Sequence, residues 1–188
     1  MKSPWAVIVF TSFLSACATR QADHFYMLSA QPPGVSEART AGATQATLKV
    51  TLPSLVDRSE MILNTSADGV MVLEHERWAA PLSDLVAQAL ARDLERRRAD
   101  MLVTEHSVPH SPGTAVMITV DVVQMTVRRG ERASIETHWR ILDPRTGTDQ
   151  AGGAVFSVPL AQDGYAAVAQ ALSECLGLLA DRLVAQLR

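Results

Sequence analysis

Cysteine is scarce in this chain: the 188 residues hold two, Cys17 and Cys175. A disulfide framework is therefore excluded as the source of stability. Aromatic residues make up 5% of the sequence, and 20 acidic side chains face 17 lysines and arginines, for a formal net charge of −3. The basic excess with which a nucleic-acid-binding domain meets phosphate is missing, so no nucleic acid partner is expected. Signatures of common chemistry are missing as well. There is no Gly-x-Ser-x-Gly nucleophile turn and no glycine-rich phosphate loop. Glu74-His75-Glu76 begins like a zinc motif, but Ala79 stands where the second histidine of His-Glu-x-x-His belongs. His106 and His110 are four apart, yet Pro109 and Pro112 oppose the helix that would put them on one face. His24 and His138 stand alone on expected strands, and alternation along its strand turns Asp121 toward solvent. Nothing assembles an acid, a base and a nucleophile. The expectation is a protein that is not an enzyme and carries neither metal nor cofactor.

The N-terminus is distinctive. Lys2 precedes a short apolar run from Pro4 to Leu14, too short to cross a bilayer, which takes roughly 20 apolar residues. Such a run after a basic start reads as a secretion signal. Leu14-Ser15-Ala16-Cys17 then fits the lipobox of bacterial lipoproteins. Residues 1–16 are expected to be removed after a diacylglyceryl thioether forms on the Cys17 sulfur, and the new amine of Cys17 is then acylated, typically with palmitate. Each buried methylene contributes about 0.8 kcal/mol, so several acyl chains together make a stable anchor. Ala18-Thr19 lacks the aspartate that retains lipoproteins in the inner membrane of enterobacteria. The expected location is the outer membrane, facing the periplasm. With Cys17 consumed, Cys175 has no partner, and its place in an apolar helical stripe marks it as a small core residue rather than a reactive thiol.

The rest reads as a lipidated tether, 17–23, and one periplasmic domain, 24–188. His24 to Leu28 is an apolar run expected to form a first strand, and 29–44 is a loop rich in Pro, Gly, Ser and Thr. Leu48, Val50 and Leu52 share one parity of a half-buried strand that Pro53 stops. Asp68-Gly69 predicts a hairpin between Met61–Asn64 and Val70–Leu73. Leu82, Leu85, Val86, Ala89, Leu90 and Leu94 recur at helical spacing and predict a helix over 81–97, with Pro81 in its first turn. Arg96-Arg97-Arg98 at its end suits the helix dipole. A solvated helix end is favoured for these arginines over a contact with anionic lipid. Met101–Val103 is a short strand. Apolar parity is even from Val116 to Val122 and odd from Val123 to Val127, which predicts a β-bulge. Ala133 to Ile141 alternates cleanly, and Ala151 to Val158 is a last strand, with Gly152-Gly153 marking a bulge or turn. Asp163 is the expected N-cap of a long helix over 164–186. Its wide apolar stripe fits packing on a sheet, with width to spare for an oligomer interface. Strands joined by hairpin-length turns predict an α+β fold, an antiparallel or mixed sheet with two main helices packed on one face.

Val50-Thr51-Leu52-Pro53-Ser54-Leu55-Val56-Asp57-Arg58, then Met61, then Trp78-Ala79-Ala80-Pro81-Leu82, form a longer pattern. It continues in Val116/Ile118/Val120/Val122, in Trp139 and in Asp163-Gly164-Tyr165, and it is preceded by Phe25-Tyr26-Met27-Leu28. Together with the lipobox this pattern resembles the PqiC/YmbA family, the auxiliary lipoproteins of ABC-type and MCE-type intermembrane transport systems. The resemblance implies a small α+β domain tethered to the outer membrane, partnered with an MCE-domain protein that bridges the periplasm and with an inner-membrane permease and ATPase. The implied cargo is phospholipid or another hydrophobic molecule, and the implied assembly is a homo-oligomeric ring. No catalytic residue carries over. Of the matching residues, Asp57 and Arg58 are candidates to order their turn by pairing, and Trp78 caps the core or meets a partner. The three are the candidate docking residues, against an alternative in which the lipoprotein supports envelope integrity without touching cargo.

Overall fold

The computed structural model describes residues 22–31, 43–105 and 115–187. The signal, Cys17, His106 and His110 lie outside the described residues. Eight strands and two helices follow one another as β1 (His24–Tyr26), β2 (Thr44–Thr51), β3 (Glu60–Asn64), β4 (Val70–Trp78), α1 (Leu82–Arg97), β5 (Met101–Thr104), β6 (Val116–Arg128), β7 (Arg132–Asp143), β8 (Thr148–Pro159) and α2 (Tyr165–Val184). The expected fold class holds, with one refinement: the strands divide into two mixed sheets rather than one. Three strands pair in the order β1-β4-β3 and five in the order β5-β2-β6-β7-β8.

The hairpins are the ones the turn residues specify. Thr65 N–H donates to the Gly69 carbonyl across the Asp68-Gly69 turn. Gly130 and Gly147 take φ of 69° and 70° in the turns that flank β7, a left-handed backbone that other residues adopt at a cost. The parallel pairings are non-local. β2 lies between β5 and β6 and runs parallel to both, and α1 supplies much of the crossover that parallel pairing with β5 needs.

The expected bulge sits in β6. Val122 pairs with Thr137 and Gln124 with Glu136, so Val123 is left over and is 46% exposed. Inward parity resumes at Met125, not at Val123, because the extra residue of a bulge has no place on either face of the ladder. The parity switch serves two cores. Before it, Val116, Ile118 and Val120 pack with Leu48, Trp139 and Leu183. After it, Met125 and Val127 pack with Met61, Leu63 and Trp78. Val127 N–H also donates to Asn64 Oδ1 at 2.9 Å, which ties the small sheet to the large one.

Both helices cover the same face of the five-stranded sheet, α1 over β2 and β5 and α2 over β7 and β8. Gly152-Gly153 forms neither turn nor bulge. Both residues lie inside β8, opposite Trp139 and His138. A Cβ on Gly152 would stand 2.6 Å from Trp139 Cζ2, so the missing side chain is the seat of the indole, whose Nε1–H donates to Gln186 Oε1 at 2.9 Å. Asp163 is not the cap of α2. Gly164 occupies that position with φ 122° and no side-chain cap bond, while Asp163 receives the Gly164 N–H and the guanidinium of Arg129, itself 5.2 Å over the Tyr165 ring. Cys175 is fully buried, and burial pushes its thiol up to about 12, as a core residue requires.

Replacing Gly152 with valine is expected to displace Trp139 and lower stability by about 1–3 kcal/mol, the usual cost of overpacking. Chemical denaturation followed by the near-ultraviolet signal of the indole reads both effects.

Candidate docking surfaces

Pro53 ends the extended backbone after β2, and its carbonyl then accepts from Val56 N–H and Asp57 N–H, winding the chain into a tight turn. Val56 inserts into the core at the base of that turn, and Leu55, 53% exposed, crowns it. Asp57 and Arg58 both face solvent but do not pair with each other. Asp57 Oδ1 accepts the N–H of Ser83 at 3.0 Å, in the first turn of α1, where Pro81 at the N-cap position has no side-chain acceptor to offer. A residue more than twenty positions earlier thus performs the cap, and its charge opposes the positive end of the helix dipole. Arg58 Nε donates to Glu60 Oε2 at 3.0 Å, while Arg77 reaches the other oxygen of Glu60 at 3.4 Å. The hydrogen bond from Arg58 is the main reason the Glu60 carboxyl lies below the usual range. Trp78 is only 4% exposed. Its ring lies among Val56, Ile62, Leu82, Val127 and Leu172, behind the turn rather than on its surface.

The N-terminal segment forms a second surface. β1 adds to the edge of the small sheet by pairing in parallel with β4. His24 and Tyr26 on one side of β1 meet Glu76, 9% exposed, whose Oε2 accepts from the Tyr26 hydroxyl at 2.7 Å and whose Oε1 lies 3.0 Å from His24 Nδ1. Burial alone would raise the Glu76 carboxyl. The hydrogen bonds from Tyr26 and His24 outweigh it and hold the group below its ordinary value, while burial and Glu76 together push Tyr26 up to about 12. His75 pairs instead with Asp23 at 2.9 Å, and the described residues hold no group of three or more His, Cys, Asp or Glu that could bind a metal ion.

Beyond β1 the chain runs as a strap across α2. Ser29 N–H donates to Ser173 Oγ at 3.0 Å, and Gln31 N–H donates to Asp93 Oδ1 at 2.9 Å. Ala169, Ser173 and Gly177 sit one turn apart along α2. A Cβ on Gly177 would stand 2.9 Å from Gln31 Cγ, so small side chains let the strap lie close. The arginine cluster closes this arrangement. Arg96 donates to the carbonyls of Ala30 and Gln31, Arg97 joins Asp93 of α1 to Asp181 of α2, and Arg98 holds Asp100 and the Leu187 carbonyl. The three arginines are fasteners within the fold.

The family model of the ABC-type transport auxiliary lipoprotein component matches residues 26–184. The chain belongs to that family. Two crystal structures share its fold. One, of an uncharacterised protein, has a TM-score of 0.74 at 15% identity and covers 89% of this chain and 100% of its own. The other, from Xanthomonas campestris, has a TM-score of 0.63 at 16% identity, with 87% of this chain and 92% of its own covered. No curated protein matches the chain.

Within this lipoprotein the three sequence candidates thus divide into two exposed charges on a turn and one buried indole that supports it. The strap and its seat escaped the sequence reading, although Ala169, Ser173 and Gly177 at helical spacing in an otherwise bulky stripe were the available signal. None of the described helices is long and apolar enough to cross a membrane.

Asp57→Ala is expected to cost about 0.5–2 kcal/mol through loss of the α1 cap, with Asp57→Ser recovering part of it, both read by denaturant unfolding. A second expectation concerns pH. A carboxyl whose folded pKa is depressed adds stability above its unfolded value, about 4.3 for glutamate, and that stability is lost as pH falls through the folded value. Tyr26→Phe removes a donor to a buried carboxylate. It should therefore lower stability at pH 7 by about 1.5–3 kcal/mol, and the gap to the unmodified protein should narrow in acid.

Proposed function

We propose that this auxiliary lipoprotein is held at the outer membrane by an N-acyl diacylglyceryl group on Cys17, faces the periplasm, and docks the MCE-domain protein that spans it. The system served is an ABC-type intermembrane transporter of phospholipid or another hydrophobic molecule, its permease and ATPase lying in the inner membrane. The observation that carries this reading is the family match over residues 26–184, nearly the whole of the domain. The lipobox and the absence of aspartate after Cys17 support the anchor and its location.

The docking contact is assigned to the turn after Pro53. Its Leu55 offers an exposed apolar side chain, and Arg58, Glu60 and Arg77 frame it with charge, an apolar centre within a polar rim. Trp78 supports the turn from behind, and Asp57 fixes it to α1.

Crosslinking in living cells, followed by purification of the tagged lipoprotein and mass spectrometry of what it carries, tests the reading. Recovery of an MCE-domain protein with its permease is expected, and Arg58→Glu should reduce that recovery while leaving the fold intact. Recovery of envelope-assembly proteins alone would replace the transport role with a structural one. Unchanged recovery with Arg58→Glu would remove the turn from the interface.

A further inference from the structure

Among the large apolar residues left exposed, Val155, Phe25 and Met27 are the most open, at 64%, 63% and 58%. Val155 stands alone on the open face of β8. Phe25 and Met27 are two apart, so the alternation that buries Leu28 and turns Tyr26 toward Glu76 puts them together on the other side of the chain. They border a groove of about 290 Å³ between the strap and α2, whose lining includes Ala166, Ala169 and Gln170 and no charged side chain. The groove is held open by design of the fold, because the bonds of the strap to Ser173 and Asp93 fix the backbone that carries Met27.

The length of chain before this patch determines what can cover it. Between Cys17 and Ala22, where the described residues begin, lie five residue steps, which reach at most about 18 Å when fully extended. Phe25 follows three residues later. The membrane contact inferred below rests on the proposed lipidation of Cys17. With that anchor in the bilayer, the end of the domain bearing β1 is kept close to the lipid headgroups, and an apolar patch there, with Arg77 of β4 beside Phe25, lies within reach of the acyl boundary. We infer that Phe25, Met27 and the groove behind them form a second membrane contact, in which the lipid surface that holds the anchor also receives the side chains of β1. Two attachment points on one rigid edge orient the domain, so that the turn after Pro53 is presented in a fixed direction instead of swinging on a flexible tether.

The test uses the full lipidated protein in vesicles of phosphatidylethanolamine and phosphatidylglycerol carrying doxyl-labelled phosphatidylcholine. Phe25→Cys and Met27→Cys variants, with Val155→Cys as the reference, are labelled with an environment-sensitive fluorophore. Cys17 is blocked by its thioether and Cys175 is buried, so the label goes to the introduced thiol. Emission from positions 25 and 27 should shift to the blue and be quenched by the doxyl lipid severalfold more than emission from position 155. Equal quenching at all three positions, in protein whose mass includes the acyl chains, would overturn the membrane contact and leave the anchor standing. A mass without acyl chains would overturn the anchor and this inference with it. A blue shift at position 25 in the vesicles without extra quenching by the doxyl lipid would assign the patch to a second copy of the chain and overturn the contact as well.

Discussion

Burial of α2 on three sides is the constraint around which the domain is arranged. A 20-residue helix with so wide an apolar face cannot be covered by one sheet. β7 and β8 take one side and α1 takes a second, and the third goes to the strap that continues from β1. That third contact sets the Ser29 backbone on Ser173 and the Gln31 side chain on Gly177, so it depends on small side chains for closeness and on polar fasteners for register. Ser173 and Asp93 supply acceptors to the Ser29 and Gln31 backbone N–H groups of the strap. Asp93 has no exposed surface, and burial pushes its carboxyl up against the pull of Arg97. Its Oδ1 accepts from both the Gln31 N–H and Arg97, and Arg97 also reaches Asp181, so this one carboxylate links α1, the strap and α2.

The same logic explains why the arginines at the end of α1 contribute little to the outward character of the protein. Each is engaged with a carbonyl or a carboxylate of its own chain, and together they join the first described segment to both helices. The first described segment is thereby made part of the packed domain. With the anchor proposed at Cys17, a segment fastened in this way would pass less of a tether's freedom on to the rest of the domain.

Much of the fold was legible in the residues. The Asp68-Gly69 hairpin, the α1 stripe and the alternation of β7 came directly from spacing. The parity switch in β6 announced the bulge, and the shift from one core cluster to the other shows why it is there. Errors arose where distant parts of the chain meet. Gly152-Gly153 reads locally as a turn, and only the indole of Trp139 across the ladder explains a glycine pair inside a strand. Asp163 has the residue type of a cap but is engaged by Arg129, whereas Asp57, far from α1 in sequence, is the side chain that reaches the backbone of its first turn. Trp78 reads from the sequence first as a cap on the core and second as a partner contact, and its neighbours decide for the core.

The sequence by itself determined the fold class, the position and parity of most strands and helices, and the family. The first two depend on short-range chemistry, on period and turn residues. The tertiary structure decided that the strands form two sheets, that β2 runs parallel to both its neighbours, that the N-terminal strap closes α2, and which of the conspicuous residues face outward. Those outcomes follow from contacts between segments tens of residues apart, where what a side chain does is set by the surface it meets and not by the residues beside it in the chain.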